Sequence, residues 1–343
     1  MSEKLLSLED LKVSFKIDGT FFPAVDGVSL DIMKNETFAI VGESGCGKST
    51  IALSILQLHD TSFTKLEGAI NYYGRTSTNP QTADNQGEDL LSFTPTQLNK
   101  IRGAEIGMIF QDPLTSLNPL HRIGRQLEEG MYYHTNFTAE QRKAKALKLM
   151  EDVGIPNPAL TYDAFPHELS GGMRQRIVIA IALACEPAVI VADEPTTALD
   201  VTIQAQVLDL IRDLQRKYQS SVLLITHDLG VVAEMADKVA VMYAGQIVET
   251  ASVDELFHNP LHPYTRSLFS SMPSNAIDGK LSTIQGSVPS LINLSKITGC
   301  RFAERIPWIG EHEHEADPIL REVSPGHFVR CTCYKNFRFE EEA

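Results

Sequence analysis

The stretch Gly42-Glu43-Ser44-Gly45-Cys46-Gly47-Lys48-Ser49 combines three glycines, a lysine and a hydroxyl in the spacing of a phosphate cradle. Glycines there let backbone N–H groups turn inward around phosphates, and the start of the following helix adds positive potential. Lys48 is expected to reach the terminal phosphates and Ser49 to offer its hydroxyl to Mg²⁺. The apolar run Phe38-Ala-Ile-Val41 precedes the loop and Thr50-Ile-Ala-Leu53 follows it. Strand before and helix after separate a P-loop from a chance glycine turn. Cys46 falls at a variable position and is read as a tolerated small side chain rather than a redox switch.

Two further segments could act on the same ligand. Ala188-Val-Ile-Val-Ala-Asp193-Glu194 ends an apolar run on two carboxylates, at the strand end where open α/β sheets present ligand chemistry. Asp193 is expected to hold Mg²⁺, directly or through water. Glu194 is expected to orient and polarise an attacking water, because phosphoryl transfer depends on positioning and charge stabilisation. Without the P-loop this pair would be an ordinary acidic turn. Ser170-Gly171-Gly172 can open a helix whose bare N–H groups face a γ-phosphate, with a plain helix cap as the alternative. Since Lys48 already serves one anion site, a second is best accommodated by a nucleotide shared across a dimer interface.

The order of these segments, with Leu169-Ser-Gly-Gly-Met-Arg-Gln-Arg176 between P-loop and carboxylates, resembles that of an ATP-binding-cassette ATPase. The resemblance implies nucleotide contacts from Gly42, Ser44, Gly45, Cys46, Gly47, Lys48, Ser49 and Thr50. It implies that Gln111, in Met108-Ile-Phe-Gln-Asp-Pro113, contacts Mg²⁺ and water, with the loop after it touching a membrane subunit. His227, in Leu224-Ile-Thr-His-Asp228, matches the switch histidine at the γ-phosphate. Ser170, Gly171, Gly172, Met173 and Asp200, the last within Ala198-Leu-Asp200, would face a nucleotide held by a partner. Met173 stands where glutamine is most common, which leaves the glycine contacts intact. Phe15, 33 residues before Lys48, matches the aromatic that stacks on adenine. A core phenylalanine on the face of Leu11 and Val13 is the competing reading.

A narrower resemblance is to ATPase subunits of oligopeptide and dipeptide importers. It rests on Gln111-Asp-Pro-Leu-Thr-Ser-Leu-Asn-Pro119, on Ala192 through Gln206, on Asn259-Pro-Leu-His-Pro-Tyr-Thr265, and on the tail from Gly299-Cys-Arg-Phe302 to Ser324-Pro-Gly-His327. It implies an ATPase using ATP and Mg²⁺, paired as a heterodimer with a second homologous ATPase. Two membrane permeases and, indirectly, an extracellular peptide-binding protein would complete the assembly, with this chain peripheral on the cytoplasmic face of the cell membrane. Import of nickel or another small solute stays open. A soluble cassette ATPase outside transport is the alternative of a different class, but neither its usual coiled-coil insertion nor a second fused cassette is visible. Lys48, Glu194 and His227 together disfavour a scaffold without turnover.

Many members of that family carry four tail cysteines resembling iron–sulfur ligands. Here Cys300 and Cys331 match, Ile306 occupies the second place, Glu313 roughly the third, and Cys333 is additional. An all-cysteine [4Fe–4S] centre needs four thiolates and is not expected. Zinc held by Cys300, Cys331, Cys333 and either His312 or His314 is chemically allowed. The simpler alternative places Val329, Cys331 and Cys333 on one face of a strand, as small buried hydrophobes.

These groups need a scaffold, and 343 residues with 43% apolar and 22% charged content suffice for one large domain plus an appendage. A net charge of −14 without a Lys/Arg block argues against nucleic acid as a partner. The N-terminus lacks a secretory pattern, and the apolar region 177–192 is broken by Glu186-Pro187, so neither export nor a spanning helix is expected. Five cysteines do not suggest a disulfide framework.

Alternation over Leu11–Phe15 and Ala24–Ile32 predicts an opening antiparallel sheet. Residues Thr76–Glu88 suggest a surface loop, and Ala139–Val153 a helix with Ala144, Leu147 and Met150 on its apolar face. The strands Ala188–Ala192 and Ser221–Thr226, with a helix over Gln204–Tyr218 between them, predict parallel βαβ units. The expected class is α/β: a P-loop, RecA-like ATPase core with an antiparallel β subdomain and a helical subdomain inserted at roughly 112–170. The ATP-binding domain would span 1–260 and a small C-terminal region 261–343.

Overall fold

The computed structural model describes residues 3–74, 87–197, 200–272 and 286–339. Most of the loop expected over Thr76–Glu88, and Ala198 and Leu199 of the segment ending at Asp200, lie outside them. In chain order the elements are β1 (Lys4–Ile17), β2 (Thr20–Met33), β3 (Thr37–Val41), α1 (Lys48–Ile55), β4 (Thr64–Tyr72), β5 (Glu88–Asp89), α2 (Pro95–Ile101) and β6 (Ile106–Ile109). Four helices follow: α3 (Pro113–Ser116), α4 (Ile123–His134), α5 (Ala139–Asp152) and α6 (Pro158–Tyr162). Then come α7 (Gly171–Ala182), β7 (Val189–Asp193), α8 (Val201–Tyr218), β8 (Ser221–Thr226), α9 (Leu229–Met235), β9 (Lys238–Tyr243) and β10 (Gln246–Ser252). The chain closes with α10 (Val253–His258), α11 (Pro263–Ser270), α12 (Leu291–Leu294), β11 (Leu320–Ser324) and β12 (His327–Arg330).

The chain divides into two compact units, one of residues 1–7, 31–37 and 71–225, the other of 8–30, 38–70 and 226–343. In the first, β6, β7 and β8 run parallel, with Ile109 opposite Ala192 and Asp193 opposite Ile225. Their Ile- and Val-rich residues are buried throughout, as both-faced burial of a parallel sheet requires. The strand expected over Ala188–Ala192 is displaced by one residue, so Asp193 is itself the last residue of β7. Between β6 and β7 the chain is helical. In α5, Thr138 and Gln141 close a capping box, each side chain accepting the other's backbone N–H at 3.3 and 2.8 Å. The buried stripe of α5 is Ala146, Leu149 and Met150; Met150 is buried as expected, but Ala144 is exposed and Leu147 half-buried. Both residues belong to the same 3.6-residue period, and packing selects the neighbouring phase.

In the second unit β1 and β2 are joined by the two-residue turn Asp18-Gly19, and each is longer than its alternating segment suggests. The fully buried β3 pairs parallel with β9, Phe38 opposite Lys238 and Val41 opposite Val241. Beyond β9 the pairing turns antiparallel: β10 lies against β9, β12 against β10, and β11 against β12. The C-terminal tail thus extends a core sheet. The strand expected to carry Val329, Cys331 and Cys333 stops at Arg330, because Cys331 adopts φ 67° and turns the chain out of the ladder.

A buried carboxylate fixes this tail. Glu249 accepts the backbone N–H groups of Leu261 and His262 at 2.8 and 2.9 Å and faces His327 Nε2 at 2.8 Å. His327 Nδ1 lies 3.1 Å from Glu255 Oε1, so protonated imidazole donates to two carboxylates. The hydrogen bond to Glu249 raises its pKa above the ordinary 6.5. Burial instead pushes His262 down to about 4, keeping it neutral so that Nδ1 accepts the Tyr264 N–H at 3.1 Å. Among the described residues no helix is long and apolar enough to cross a membrane.

A pKa raised on folding contributes stability fully present below the unfolded value and lost as pH climbs through the folded one. The urea midpoint of unfolding should therefore decline as pH rises from about 6.5, the ordinary histidine value, through the raised pKa of folded His327. His327→Gln should be less stable at the acid end and flatten that decline; an unchanged slope would remove His327 as its source.

Candidate functional site

The phosphate cradle forms where β3 runs into α1. Gly47 adopts φ 107° as the residue before α1, and a Cβ there would sit 2.7 Å from the Ala24 carbonyl oxygen. Only glycine combines that conformation with so close an approach. Lys48 is 4% exposed, and its Nζ donates to the carbonyls of Gly42 and Glu43 at 2.7 and 3.0 Å. Its ammonium is held at the loop's centre. Ser44 and Gly45 are exposed, and Ser49 and Thr50 lie half-buried in the first turn of α1. Cys46 is buried, and burial raises its thiol pKa, which keeps it protonated and unreactive.

Glu43 is gripped by residues far away in sequence. Its backbone N–H donates to the Tyr264 hydroxyl at 2.8 Å, and its carboxylate takes both arms of the Arg305 guanidinium at 2.6 and 3.1 Å. Arg305 also lies over the rings of Tyr243 and Phe302, at 5.7 and 5.6 Å from their centroids. A bidentate pair with stacking is a geometry that lysine could not reproduce. Sequence reasoning missed Glu43 and Arg305 as site residues. Tyr264 was noticed only as part of the Asn259–Thr265 segment, and Arg305 carries no local signal.

The remaining groups of this unit are more open. His227 is exposed just past β8, and Asp228 caps α9 by accepting the N–H groups of Gly230 and Val231 at 2.8 and 3.4 Å. Phe15 is half-buried, edge-on to His59 at 5.7 Å between centroids, which suits neither a sealed core position nor a free platform.

In the other unit Asp193 is 5% exposed at the end of β7. Glu194 follows with φ 46°, a left-handed turn that takes its side chain off the strand's alternation. Its N–H donates to the Ile225 carbonyl at 2.8 Å. One carboxylate oxygen accepts from Gln111 Nε2 at 3.0 Å and from Thr197 Oγ1 at 2.8 Å. Gln111, expected from its motif, and Thr197, unsuspected, thus fix the Glu194 side chain.

Ser170 is the N-cap of α7, its Oγ accepting the Met173 N–H at 3.3 Å, so the hydroxyl hydrogen remains free to donate. Ser170 and Gly171 are exposed, Gly172 and Met173 half-buried, and a Cβ on Gly171 would meet nothing within 4 Å. The N-terminal end of α7 is exposed. Asp200 caps α8, accepting the Ile203 N–H at 3.1 Å.

The family model for ABC transporters matches residues 25–197, and that for the oligopeptide/dipeptide transporter C-terminal region matches 248–309. The chain is 47% identical to the oligopeptide transport ATP-binding protein OppD of Lactococcus lactis subsp. cremoris (strain SK11), over 99% of this chain and 97% of that one. It is 48% identical to the oligopeptide transport ATP-binding protein AppD of Bacillus subtilis (strain 168), over 98% of each. Among solved structures, the dimeric ATP-binding cassette MJ0796 in a post-hydrolysis state bound to ADP and Pi is similar with a TM-score of 0.61 and 26% identity, over 73% of this chain and 99% of that one. On these grounds the chain, an α/β protein built on a P-loop ATPase core, belongs to the ABC transporter family.

Proposed function

We propose that this chain is the ATP-hydrolysing subunit that powers an importer of oligopeptides or dipeptides, working as a peripheral protein on the cytoplasmic face of the cell membrane. The observation that carries the reading is that likeness to oligopeptide transport ATP-binding proteins extends over the whole chain, C-terminal region included. Residues 1–260 act as the ATP-binding domain and 261–343 as the appended region.

Gly42 through Thr50 bind the phosphates, Lys48 neutralises their terminal charge, and Phe15 meets the adenine. Ser49, Asp193 and Gln111 supply oxygen donors, a hard set suited to Mg²⁺, which when bound offsets charge on the phosphate oxygens. Glu194 orients and polarises the attacking water, and His227 contacts the γ-phosphate. Ser170, Gly171, Gly172, Met173 and Asp200 address the nucleotide held by a second, homologous ATPase. Support for that division comes from the outward-facing start of α7. Two permeases receive the stroke, and an extracellular peptide-binding protein delivers cargo to them. Large apolar side chains exposed on the helical segment, Leu160 at 76% and Tyr133 at 72%, support a protein-facing surface there.

Glu194→Gln should keep ATP affinity within about threefold and lower turnover by at least about 100-fold, whereas Lys48→Ala should weaken binding itself. Nucleotide titration and single-turnover hydrolysis on the assembled complex separate the two, and near-normal hydrolysis by Glu194→Gln would remove it from the catalytic role. Gly171→Asp sets a carboxylate against the partner's phosphate, so hydrolysis at the shared site should stop while this chain's own P-loop still binds ATP. Loss of affinity at its own P-loop alone would show that the signature acts within the chain. Leu160→Asp should leave nucleotide binding intact and reduce co-purification with the permeases; undiminished assembly would place the interface elsewhere.

A further inference from the structure

Four side chains in the tail converge as no local pattern would require. The Sγ atoms of Cys300, Cys331 and Cys333 and a ring nitrogen of His314 all lie within 4.8 Å of one another, with the three cysteines buried. On a continuous strand, residues two apart are separated by about 6.7 Å along the backbone. The left-handed turn at Cys331, φ 67°, and the 3₁₀ turn at Cys333–Lys335 instead draw the two thiols together. Gly299 brings in the first ligand's segment: at φ 82° its missing Cβ would lie 3.0 Å from the Glu315 carbonyl oxygen, next to His314. Neither ring nitrogen of His314 has a hydrogen-bond partner although both are buried, an arrangement that is costly unless one of them binds something else. His312, its equal in the sequence, is exposed.

The donor set does not fit an all-cysteine iron–sulfur cluster. Ile306, at the position of a second cysteine, is 1% exposed and offers only hydrocarbon. Thiolates on a cubane each bind a different iron at a separate corner, and so stand farther apart than thiolates sharing one ion. Around one tetrahedral Zn²⁺, with Zn–S near 2.3 Å, sulfurs are about 3.8 Å apart. The observed cluster is within about an ångström of that.

We propose that Cys300, His314, Cys331 and Cys333 form a closed, mononuclear Cys₃His zinc site. Binding Zn²⁺ releases the three thiol protons, and the neutral imidazole contributes a lone pair, so four protein ligands complete the shell without redox change. The site is structural. It staples the segment that carries Arg305, whose turn is tied back by the Ala303 N–H to the Cys300 carbonyl at 3.1 Å and the Arg305 N–H to the Phe302 carbonyl at 3.0 Å. Through Arg305 the metal supports the grip on Glu43 in the P-loop.

The test uses the full-length chain purified under reducing, oxygen-free conditions without chelator, then analysed for metals and inorganic sulfide. One zinc per chain is expected. Exchange with Co²⁺ should give the visible bands of a tetrahedral ion with thiolate charge-transfer absorption in the near ultraviolet. Cys331→Ser should lose stoichiometric zinc, Cys185→Ser should keep it, and His314→Cys should keep it as a Cys₄ site, which separates ligand loss from misfolding. Iron with stoichiometric sulfide, failure of the wild-type chain to hold zinc against a chromophoric chelator, or full zinc in Cys331→Ser would each overturn the proposal.

Discussion

The ion pair between Arg305 and Glu43 answers a difficulty inherent in any phosphate cradle. A loop that offers backbone N–H groups to a phosphate must be glycine-rich, and glycine gives it no side chains with which to hold its shape. Here the hold comes from outside the loop. Arg305 takes the Glu43 carboxylate with two hydrogen bonds while the Tyr264 hydroxyl takes the Glu43 N–H. Both residues lie beyond residue 260, so the C-terminal region helps hold the shape of the Gly42–Ser49 loop.

That dependence explains how heavily the tail is anchored. Glu249, buried in β10, satisfies the N–H groups of Leu261 and His262, which start the segment leading to Tyr264. His327 on β12 closes on the same carboxylate. A buried carboxylate is tolerated only with such company, and the arrangement ties three stretches of chain to one group. Tyr243, Tyr264 and Phe302 fill the space among them, with ring centroids 4.6 to 5.4 Å apart.

In the unit with the acidic pair the same economy holds. Asp193 ends a strand and is buried, whereas Glu194 leaves the strand through a left-handed turn and is held by Gln111 and Thr197. Two adjacent carboxylates thereby occupy different environments. One change of backbone direction supplies the two surroundings.

The P-loop, the acidic strand end and the helix start at Ser170 were legible in the chain itself, since each is a contiguous segment whose chemistry resides in backbone conformation and immediate neighbours. The parallel strands were legible too, because burial on both faces demands unbroken apolar runs. Phase and partnership were not. The buried stripe of α5 is set by what packs on it, and the end of β12 at Arg330 is set by the turn at Cys331. Glu43 meets Tyr264 and Arg305 across 221 and 262 residues, and His314 rather than His312 joins the cysteines. Such meetings leave no periodic trace in a sequence: residue types limit which groups could pair, and only the folded path of the backbone decides which ones do.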